Sequence, residues 1–365
     1  MDGFELSVLD KLNPKIIKYN SNLLVLLLKD KKILITGGTG TLGRALAKRL
    51  LTENVSSIRI LSRDEGKQLD MASTISDSRI RYIIGDVRDR ERVIYAFEDI
   101  DIVFHVAALK QVPVAEYNPF EAVKTNVLGS QNVIDACLAN KVKIAMAVSS
   151  DKAVSPLNTY GATKLLMERI FVAANYYKGN RETIFTAVRY GNVLGSRGSV
   201  VPQFFRSIEH TSSITITDPN MTRFNISLSE ALDFILNSLK SSVGGEVFVP
   251  KLKAYKLEDL AEAIIDIANK NVKINYSSIR TGEKLHESMI NEFESPYTVE
   301  LNGEFVILSP SDFEKYIKLF PNAKANCIEG SFSSDKVPLI DKSDLKKMIN
   351  REIFDVTNPY RPVFN

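Results

Sequence analysis

The sequence predicts an α/β protein built on a doubly wound parallel sheet, with a smaller, discontinuous α/β domain beside it. From residue 32 onward, short apolar runs rich in β-branched residues alternate with longer segments of helical period. Glycine, serine and aspartate residues follow several of these runs, where a strand would end. Alternating strands and helices give a parallel sheet covered on both faces, and right-handed crossovers place the carboxyl ends of the strands along one edge.

Five apolar runs in the first half of the chain are interpreted as strands, at residues 33–35, 58–61, 80–84, 102–106 and 144–148. Helical segments accompany them at residues 42–51, about 119–139 and 160–174. After Tyr190 the pattern loosens, with glycines and a proline spaced through a loop-rich region. A helix at about 229–240 and an apolar run at 247–249 are expected to return to the main sheet.

Composition excludes several classes of function. The net charge is only +3, without the clustered basic residues of a nucleic-acid-binding protein. Cys137 and Cys327 are too few for a disulfide framework and suit a reducing cytoplasm. The three histidines share no ligand spacing, so no metal is expected, and His105 is interpreted as a core residue. The strongest apolar run, residues 23–28, is far shorter than the ~20 residues that span a bilayer.

A glycine loop lies between the first predicted strand and the first predicted helix. It fits Gly-x-x-Gly-x-x-Gly, and also Gly-x-Gly-x-x-Gly from its second glycine. Glycines permit a tight turn and a close backbone approach to a pyrophosphate, while the helix N-terminus supplies free N–H groups. We therefore expect a Rossmann-type dinucleotide site. Its loop residues are Gly37, Thr39, Gly40, Thr41, Leu42 and Gly43.

The end of the second strand decides between NAD and NADP, because the adenosine ribose lies there. An acidic residue would bind the ribose 2′-hydroxyl of NAD. This chain has Ser62 and Arg63, with Lys67 a turn later, a set that suits a 2′-phosphate and predicts NADP. Asp64 is expected to point outward, and a solvated charge cluster is the alternative. Further dinucleotide contacts are expected at the ends of the third and fourth strands, from Asp86, Val87, Ala107 and Ala108.

These motifs divide the chain into predicted domains. The dinucleotide-binding domain covers residues 32–190, and residues 226–250 return to it. The substrate domain comprises residues 191–225 and 251–300. Residues 1–31 form an N-terminal extension that packs on the domain or at a subunit contact, with a membrane-surface role as the alternative, and residues 301–365 form a C-terminal segment.

A Tyr-x-x-x-Lys pair, Tyr160 and Lys164, lies on a predicted helix just after the fifth strand. Residues at i and i+4 share one helix face. A nearby ammonium and a positive nicotinamide favour the phenolate, which can then accept a proton from a sugar hydroxyl. Ser150 is expected to hold the reacting alcohol.

The sequence also resembles a known family. The segments that carry the resemblance are TGGTGTLG, LSRDEGKQ, GDVRD, HVAALKQVP, KTNVLGS, SSDKAVSP, TYGATK, RYGNVLGSRGSVVPQF, MTRFNIS, EVFVPKL and RTGEKLHE. They are similar to segments of the inverting UDP-N-acetylglucosamine 4,6-dehydratases. These enzymes are extended short-chain dehydrogenases/reductases of pseudaminic acid and related deoxysugar pathways. The resemblance runs from residue 32 onward, loosens over the last ~60 residues and leaves residues 1–30 uncovered. Some membrane-anchored relatives have methionine in place of Tyr160, so the tyrosine favours the soluble branch.

The resemblance implies a mechanism. NADP would act catalytically: oxidation at C4 with Tyr160 as base, loss of water across C5 and C6, and return of the hydride to C6. Asp151 would protonate the departing C6 hydroxyl. Lys152, where retaining relatives carry a glutamate, would handle the C5 proton and invert that centre. A lysine can serve as such a base only if burial and positive neighbours lower its pKa.

The same resemblance implies substrate contacts with the sugar, the diphosphate and the nucleotide ribose, from Lys110, Asn192, Arg197, Val200, Arg223, Arg280 and Glu283. It also implies a homo-oligomer, with a hexamer among the expected forms.

Two other interpretations remain open at this stage. A retaining 4,6-dehydratase or a 4-epimerase could use the same scaffold, and an epimerase needs only the Tyr–Lys pair. A nucleotide-sensing or scaffold protein is the third possibility, which the intact Ser150, Tyr160 and Lys164 disfavour.

Overall fold

The computed structural model describes residues 23–354, so most of the predicted N-terminal extension and the end of the C-terminal segment lie outside it. Its strands are β1 (Lys32–Thr36), β2 (Ser57–Ser62), β3 (Ile80–Ile84), β4 (Ile102–His105), β5 (Ile144–Val148), β6 (Ile184–Val188), β7 (Asn192–Val193), β8 (Ser213–Ile216), β9 (Thr222–Ile226), β10 (Val247–Pro250), β11 (Ala254–Lys256), β12 (Lys273–Tyr276), β13 (Ser288–Ile290), β14 (Thr298–Leu301), β15 (Glu304–Ile307) and β16 (Phe332–Ser333).

The α-helices are α1 (Leu23–Leu28), α2 (Thr41–Leu51), α3 (Glu65–Thr74), α4 (Arg90–Ala96), α5 (Val112–Tyr117), α6 (Pro119–Val123), α7 (Gly129–Ala139), α8 (Thr159–Tyr177), α9 (Val200–Thr211), α10 (Leu228–Ser241), α11 (Leu257–Ala268), α12 (Phe313–Leu319) and α13 (Lys342–Ile349). A π-helical turn, Lys124–Leu128, joins α6 to α7, and a 3₁₀ turn, Asp151–Ala153, follows β5. Within residues 23–354, every helix is too short or too polar to cross a bilayer.

Nine strands form the main sheet, in the order β3-β2-β1-β4-β5-β6-β10-β15-β14. The seven strands from β3 to β10 are parallel, which confirms the predicted fold class and the return of β10 to the sheet. The order 3-2-1-4-5-6 is that of dinucleotide-binding Rossmann folds, which bind ligands at the carboxyl edge.

The side chains of β1 point alternately to the two faces of the sheet, and both faces are covered by helices. Ile33 and Ile35 pack into one core cluster with α2 and α10, whereas Leu34 points to the other face, among residues of α4, α7 and α8. The apolar run that forms α1 contributes Leu24 and Leu28 to the first cluster. A third cluster joins α9, α11 and α13 to β8 in the smaller unit.

Two features of the sheet were missing from the sequence interpretation. Strand β6 is wholly buried beside β5. Strands β14 and β15 form an antiparallel hairpin around Asn302 and Gly303, both with positive φ, and extend the sheet beyond β10. The predicted domain division at residue 300 falls inside this hairpin.

Candidate active site

A cleft of about 1070 Å³ lies between the carboxyl edge of the main sheet and the smaller unit. Its size is in the range of small-molecule and cofactor sites. The predicted residues on its wall are Gly37, Gly40, Thr41, Leu42, Ala107, Ala108, Lys110, Ser150, Lys152, Tyr160, Lys164, Asn192, Val200, Arg223, Arg280 and Glu283.

The glycine loop has the geometry that a pyrophosphate requires. Gly37 has a φ of 65°, and a Cβ at this position would lie 2.7 Å from Ala107 Cα. A Cβ on Gly43 would lie 2.5 Å from Gly38 Cα, so this glycine lets α2 pack against the loop. Gly40 caps α2 without a side-chain hydrogen bond, and the first N–H groups of the helix therefore remain available for an anion.

At the end of β2, the predicted phosphate-binding residues are already paired with protein groups. Arg63 is exposed, and its Nη1 lies 3.6 Å from Asp86 Oδ2. Asp64 is exposed, as expected, and its carboxylate caps α3 and pairs with Lys67. The Ser62 hydroxyl accepts a hydrogen bond from Gln68 Nε2. This region is not part of the cleft wall.

Three other predicted dinucleotide residues, Thr39, Gly43 and Val87, also lie away from the cleft wall. Thr39 uses its carbonyl to accept a hydrogen bond from Arg44 Nε. Val87 is buried in the second core cluster, where a Cβ on Gly129 would approach its side chain to 2.8 Å. Its side chain packs in the core in this structure.

Asp151 and Lys152 form a compact charged cluster with Ser150. The Asp151 carboxylate is fully buried, and its Oδ1 accepts hydrogen bonds from Ser150 Oγ at 2.7 Å and Lys152 Nζ at 3.1 Å. Lys152 Nζ also donates to Asn192 Oδ1 at 3.2 Å. Lys152 reaches the cleft wall, whereas Asp151 lies behind it.

A lowered pKa, the condition for Lys152 to act as a base at the start of the reaction, is not met in this structure. Burial acts to lower the pKa, but the carboxylates of Asp151 and Glu287 outweigh both burial and the positive charge of Arg223, and the pKa is raised. Lys152 is therefore an ammonium at neutral pH. The sequence showed one carboxylate next to Lys152 but not the second, which comes from the residue before β13.

Tyr160 and Lys164 both face the cleft from α8, yet the cation that acts on the phenol is Lys152. Burial raises the pKa of Tyr160 and outweighs the positive charge of Lys152 and a hydrogen bond with Ser150. Lys164 Nζ donates to Val148 O at 2.6 Å, and burial lowers its pKa to about 8. The predicted effect of Lys164 on the phenol is therefore not seen in this structure.

Packing of α8 fixes the phenol beside the Asp151–Lys152 turn. The helix begins with a cap in which Asn158 Oδ1 accepts a hydrogen bond from Gly161 N at 2.8 Å. A Cβ on Gly161 would lie 2.1 Å from the carbonyl oxygen of Lys152. A glycine here is what allows the helix to contact the turn.

Most of the predicted substrate residues lie on the cleft wall, but Arg197 does not. Asn192 holds Lys152, and Val200 begins α9, whose cap residue Ser199 leaves its buried Oγ without a hydrogen-bond partner among the described residues. Lys110 lines the cleft, and burial together with Arg197 lowers its pKa. Arg197 itself is exposed, and its side chain is not part of the cleft wall.

Arg223 lines the cleft and is also bound by the protein's own backbone. Its guanidinium donates to the backbone carbonyls of Thr222, Lys284 and Leu285, at 2.7, 2.9 and 3.0 Å, and so it holds the segment that follows Glu283. Arg280, at the rim, is bound by Glu283 through two hydrogen bonds of 3.0 and 3.2 Å. This pair can meet a ligand only if it rearranges or if the ligand binds them together.

His105 is a core histidine. Thr36 Oγ1 lies 2.8 Å from its Nδ1 and Ser130 Oγ lies 2.9 Å from its Nε2, and burial lowers its pKa to about 3. Within residues 23–354, no group of three or more His, Cys, Asp or Glu side chains is arranged to hold a metal ion.

Sequence reasoning missed the buried ion cluster beneath the site. Arg189 is fully buried, and its guanidinium binds both Glu168 and Glu294 with two hydrogen bonds each. Glu168 lies one turn after Lys164 on α8, so the cluster ties this helix to Arg189, the residue directly after β6. No local pattern could reveal it, because its three members are far apart in the chain.

The Rossmann-type sheet, the glycine loop and the Tyr–Lys pair on one cleft define a protein of the extended short-chain dehydrogenase/reductase class. The chain belongs to the family described as polysaccharide biosynthesis protein, which matches residues 33–309.

Individual relatives agree with this assignment. A UDP-N-acetylglucosamine 4,6-dehydratase (inverting) of Campylobacter jejuni is 47% identical, over 88% of this chain and 97% of the relative, which confirms the resemblance found in the sequence. A UDP-glucose 4-epimerase of Rickettsia bellii is 38% identical, over 88% of this chain and 95% of the relative. The X-ray structure of Pen from Bacillus thuringiensis superposes with a TM-score of 0.83 at 43% identity, covering 89% of this chain and 98% of that one.

Proposed function

We propose that this protein is an NADP-dependent, configuration-inverting UDP-N-acetylglucosamine 4,6-dehydratase, a hydro-lyase. Its product would be a UDP-4-keto-6-deoxy-L-sugar for deoxysugar, nonulosonic acid or surface polysaccharide synthesis. The observation that carries the proposal is the contact between Lys152 and Asp151 at the cleft that Tyr160 also lines. The inverting dehydratase among the relatives supports it.

The residues around the glycine loop fit a dinucleotide. Gly37 and Ala107 would meet the pyrophosphate with the N-terminus of α2, and Lys164 would face the nicotinamide ribose. When bound, NADP⁺ supplies a hydride acceptor for C4, a hydride for C6, and a positive charge that favours the Tyr160 phenolate. Arg63 and Lys67, as cations near the end of β2, support NADP over NAD.

The chain's own groups divide the proton transfers. Tyr160 would take the proton of the C4 hydroxyl, with Ser150 orienting that hydroxyl. Lys152 would exchange a proton with C5. Because Asp151 is fully buried, the proton that leaves with the C6 hydroxyl would come from the Asp151–Lys152 pair across its 3.1 Å contact. The Lys152 ammonium would give up this proton, and the amine that it becomes would accept the proton of C5.

A 4-epimerase or a retaining 4,6-dehydratase is the alternative, favoured by the relatives named UDP-glucose 4-epimerase. An epimerase would use Tyr160 and Lys164 without a proton exchange at C5. It would therefore give no role to Lys152.

The test is to incubate the purified protein with UDP-N-acetylglucosamine and no added dinucleotide. We expect a keto-deoxy product in many-fold excess over protein, because the hydride returns to the sugar in each turnover. Consumption of NADPH in proportion to product would contradict dehydration and indicate a reductase. A C4 epimer as sole product would favour the alternative.

A further inference from the structure

Glu287 lies next to Lys152 on the cleft wall. Its carboxylate is buried, with the residue 4% exposed, and its Oε1 lies 3.7 Å from Lys152 Nζ. Its Oε2 lies 3.8 Å from Lys284 Nζ but has no hydrogen-bond partner among the described residues. A buried carboxylate costs free energy unless it is hydrogen-bonded or paired, so this one requires an explanation.

The backbone of Glu287 is clamped, while its side chain is left to the cleft. Glu287 N donates to Ser334 Oγ at 2.9 Å, and Ser334 N donates to Glu287 O at 2.8 Å. Ser333 Oγ also donates to that carbonyl at 3.3 Å. Both serines come from the C-terminal segment, which therefore places Glu287 through its main chain and adds no hydrogen bond to its carboxylate.

Lys152 is thus held between two carboxylates on different elements. Asp151 comes from the turn after β5, and Glu287 immediately precedes β13. Other titratable groups that act on this site are Arg223 and Lys284, which are cations, and Tyr160 and Tyr255, which are buried phenols. Two negative charges close to one ammonium favour its charged form.

We propose that Glu287 is a positioning residue that holds the Lys152 ammonium at the cleft wall and keeps it protonated. Lys152 then begins each cycle as a proton donor, and Asp151 alone would hold it less firmly. The proposal rests on the proposed function for the use of that proton. The charge state of Lys152, however, can be measured without turnover.

The experiment is competitive labelling of the purified holoenzyme with acetic anhydride, followed by mass spectrometry of the peptide that contains Lys152. Below its pKa, the acetylation rate of a lysine is proportional to its neutral fraction, so each unit of lowered pKa gives about a tenfold faster rate. In Glu287→Gln, which keeps the side-chain shape and removes the charge, we expect acetylation of Lys152 at pH 9 to rise about tenfold or more. The matched control is Glu262→Gln on α11, which breaks an ion pair with Lys342 away from the cleft and should leave that rate unchanged.

Two further measurements distinguish a positioning role of Glu287 from a purely structural one. In active preparations, the limb of the pH–rate profile that depends on Lys152 should move to lower pH in Glu287→Gln. Glu287→Asp should keep most of the wild-type pH–rate profile and raise Lys152 acetylation by a smaller factor than Glu287→Gln does. The aspartate keeps the negative charge but holds it one methylene further from Lys152. If Glu287→Gln does not fold, the Asp variant decides by the same labelling.

An acetylation rate equal to that of the wild type, in a folded Gln or Asp variant, would overturn the proposal. That result would leave the proposed dehydratase function unaffected. If neither the wild type nor the variants exchange the C5 proton of the sugar, while the labelling changes are as expected, the proposed reaction is refuted. The role of Glu287 then still stands.

Discussion

Gly161 lies directly against the backbone of Lys152: a Cβ at residue 161 would be 2.1 Å from the Lys152 carbonyl oxygen. This is below any normal contact distance, and the atom it meets is backbone, which cannot rotate away. The approach sets Tyr160, at the start of α8, beside the turn that carries Lys152. The geometry of the site therefore depends on the absence of one methyl group.

Gly161→Ala should separate α8 from this turn. We expect turnover to fall by about 100-fold, since misplacing reacting groups by about 1 Å can cost that much, and the free energy of unfolding to fall by about 1–3 kcal/mol. Steady-state kinetics and thermal unfolding measure these effects. Gly66→Ala on α3, where a Cβ would meet Asp64 Oδ1 at 3.5 Å, is the control and should be neutral or stabilising.

Cofactor preference should depend on Arg63. Hydrogen bonds to charged groups contribute about 1.5–3 kcal/mol, so Arg63→Ala should weaken NADP binding by roughly 10–100-fold and leave NAD binding nearly unchanged. Calorimetric titration of protein freed of dinucleotide gives both constants. Arg90→Ala on α4, which breaks the pair with Asp135 on α7, should change neither. Tighter binding of NAD than of NADP by the wild type would refute the NADP assignment.

The sequence predicted the fold well because its signals are local. Apolar runs such as that ending at Val148 mark strands, and a glycine loop between a strand and a helix marks the ligand edge. Strand β6 and the hairpin around Asn302 also had local signals, an apolar run and an Asn-Gly turn, that the interpretation did not use.

The charge state of the site could not be predicted in the same way. Lys152 and Asp151 are neighbours in the chain and were both predicted at the site, but Glu287 lies far along the chain and comes next to Lys152 only in the folded protein. For the same reason Arg223, expected to meet phosphates, is bound by backbone carbonyls that no pattern could place. The carboxylates of Asp151 and Glu287 raise the pKa of Lys152, and the second of them could not be placed from the sequence.

The stability of the protein without dinucleotide should rise with pH because of Lys164. Burial lowers the pKa of this lysine to about 8, against 10.5 for an ordinary lysine. Between these values the unfolded chain binds a proton that the folded protein has released, so the free energy of unfolding increases as pH rises, by on the order of 3 kcal/mol in total. Chemical denaturation between pH 7 and 10.5 measures the increase.

In Lys164→Met this contribution to the rise should disappear, and the variant should be more stable than the wild type at pH 7. Lys270→Met, at an exposed position, should retain the wild-type slope. A Lys164→Met protein whose stability follows pH as the wild type does would show that this lysine is not the group responsible.

Lys152→Ala should separate binding from chemistry. The residue lies apart from the glycine loop, so the variant should retain its dinucleotide, while exchange at C5 of the sugar should fall below detection. Bound dinucleotide is measured by absorbance after denaturation, and exchange by proton NMR. Exchange that persists in this variant would remove Lys152 from the mechanism.

The most direct measurement is a proton NMR time course of the wild-type protein with UDP-N-acetylglucosamine in deuterated buffer. We expect a 4-keto-6-deoxy sugar that carries deuterium at C5 and has the inverted configuration there. A product that keeps its original C5 proton, changed only at C4, would contradict the account.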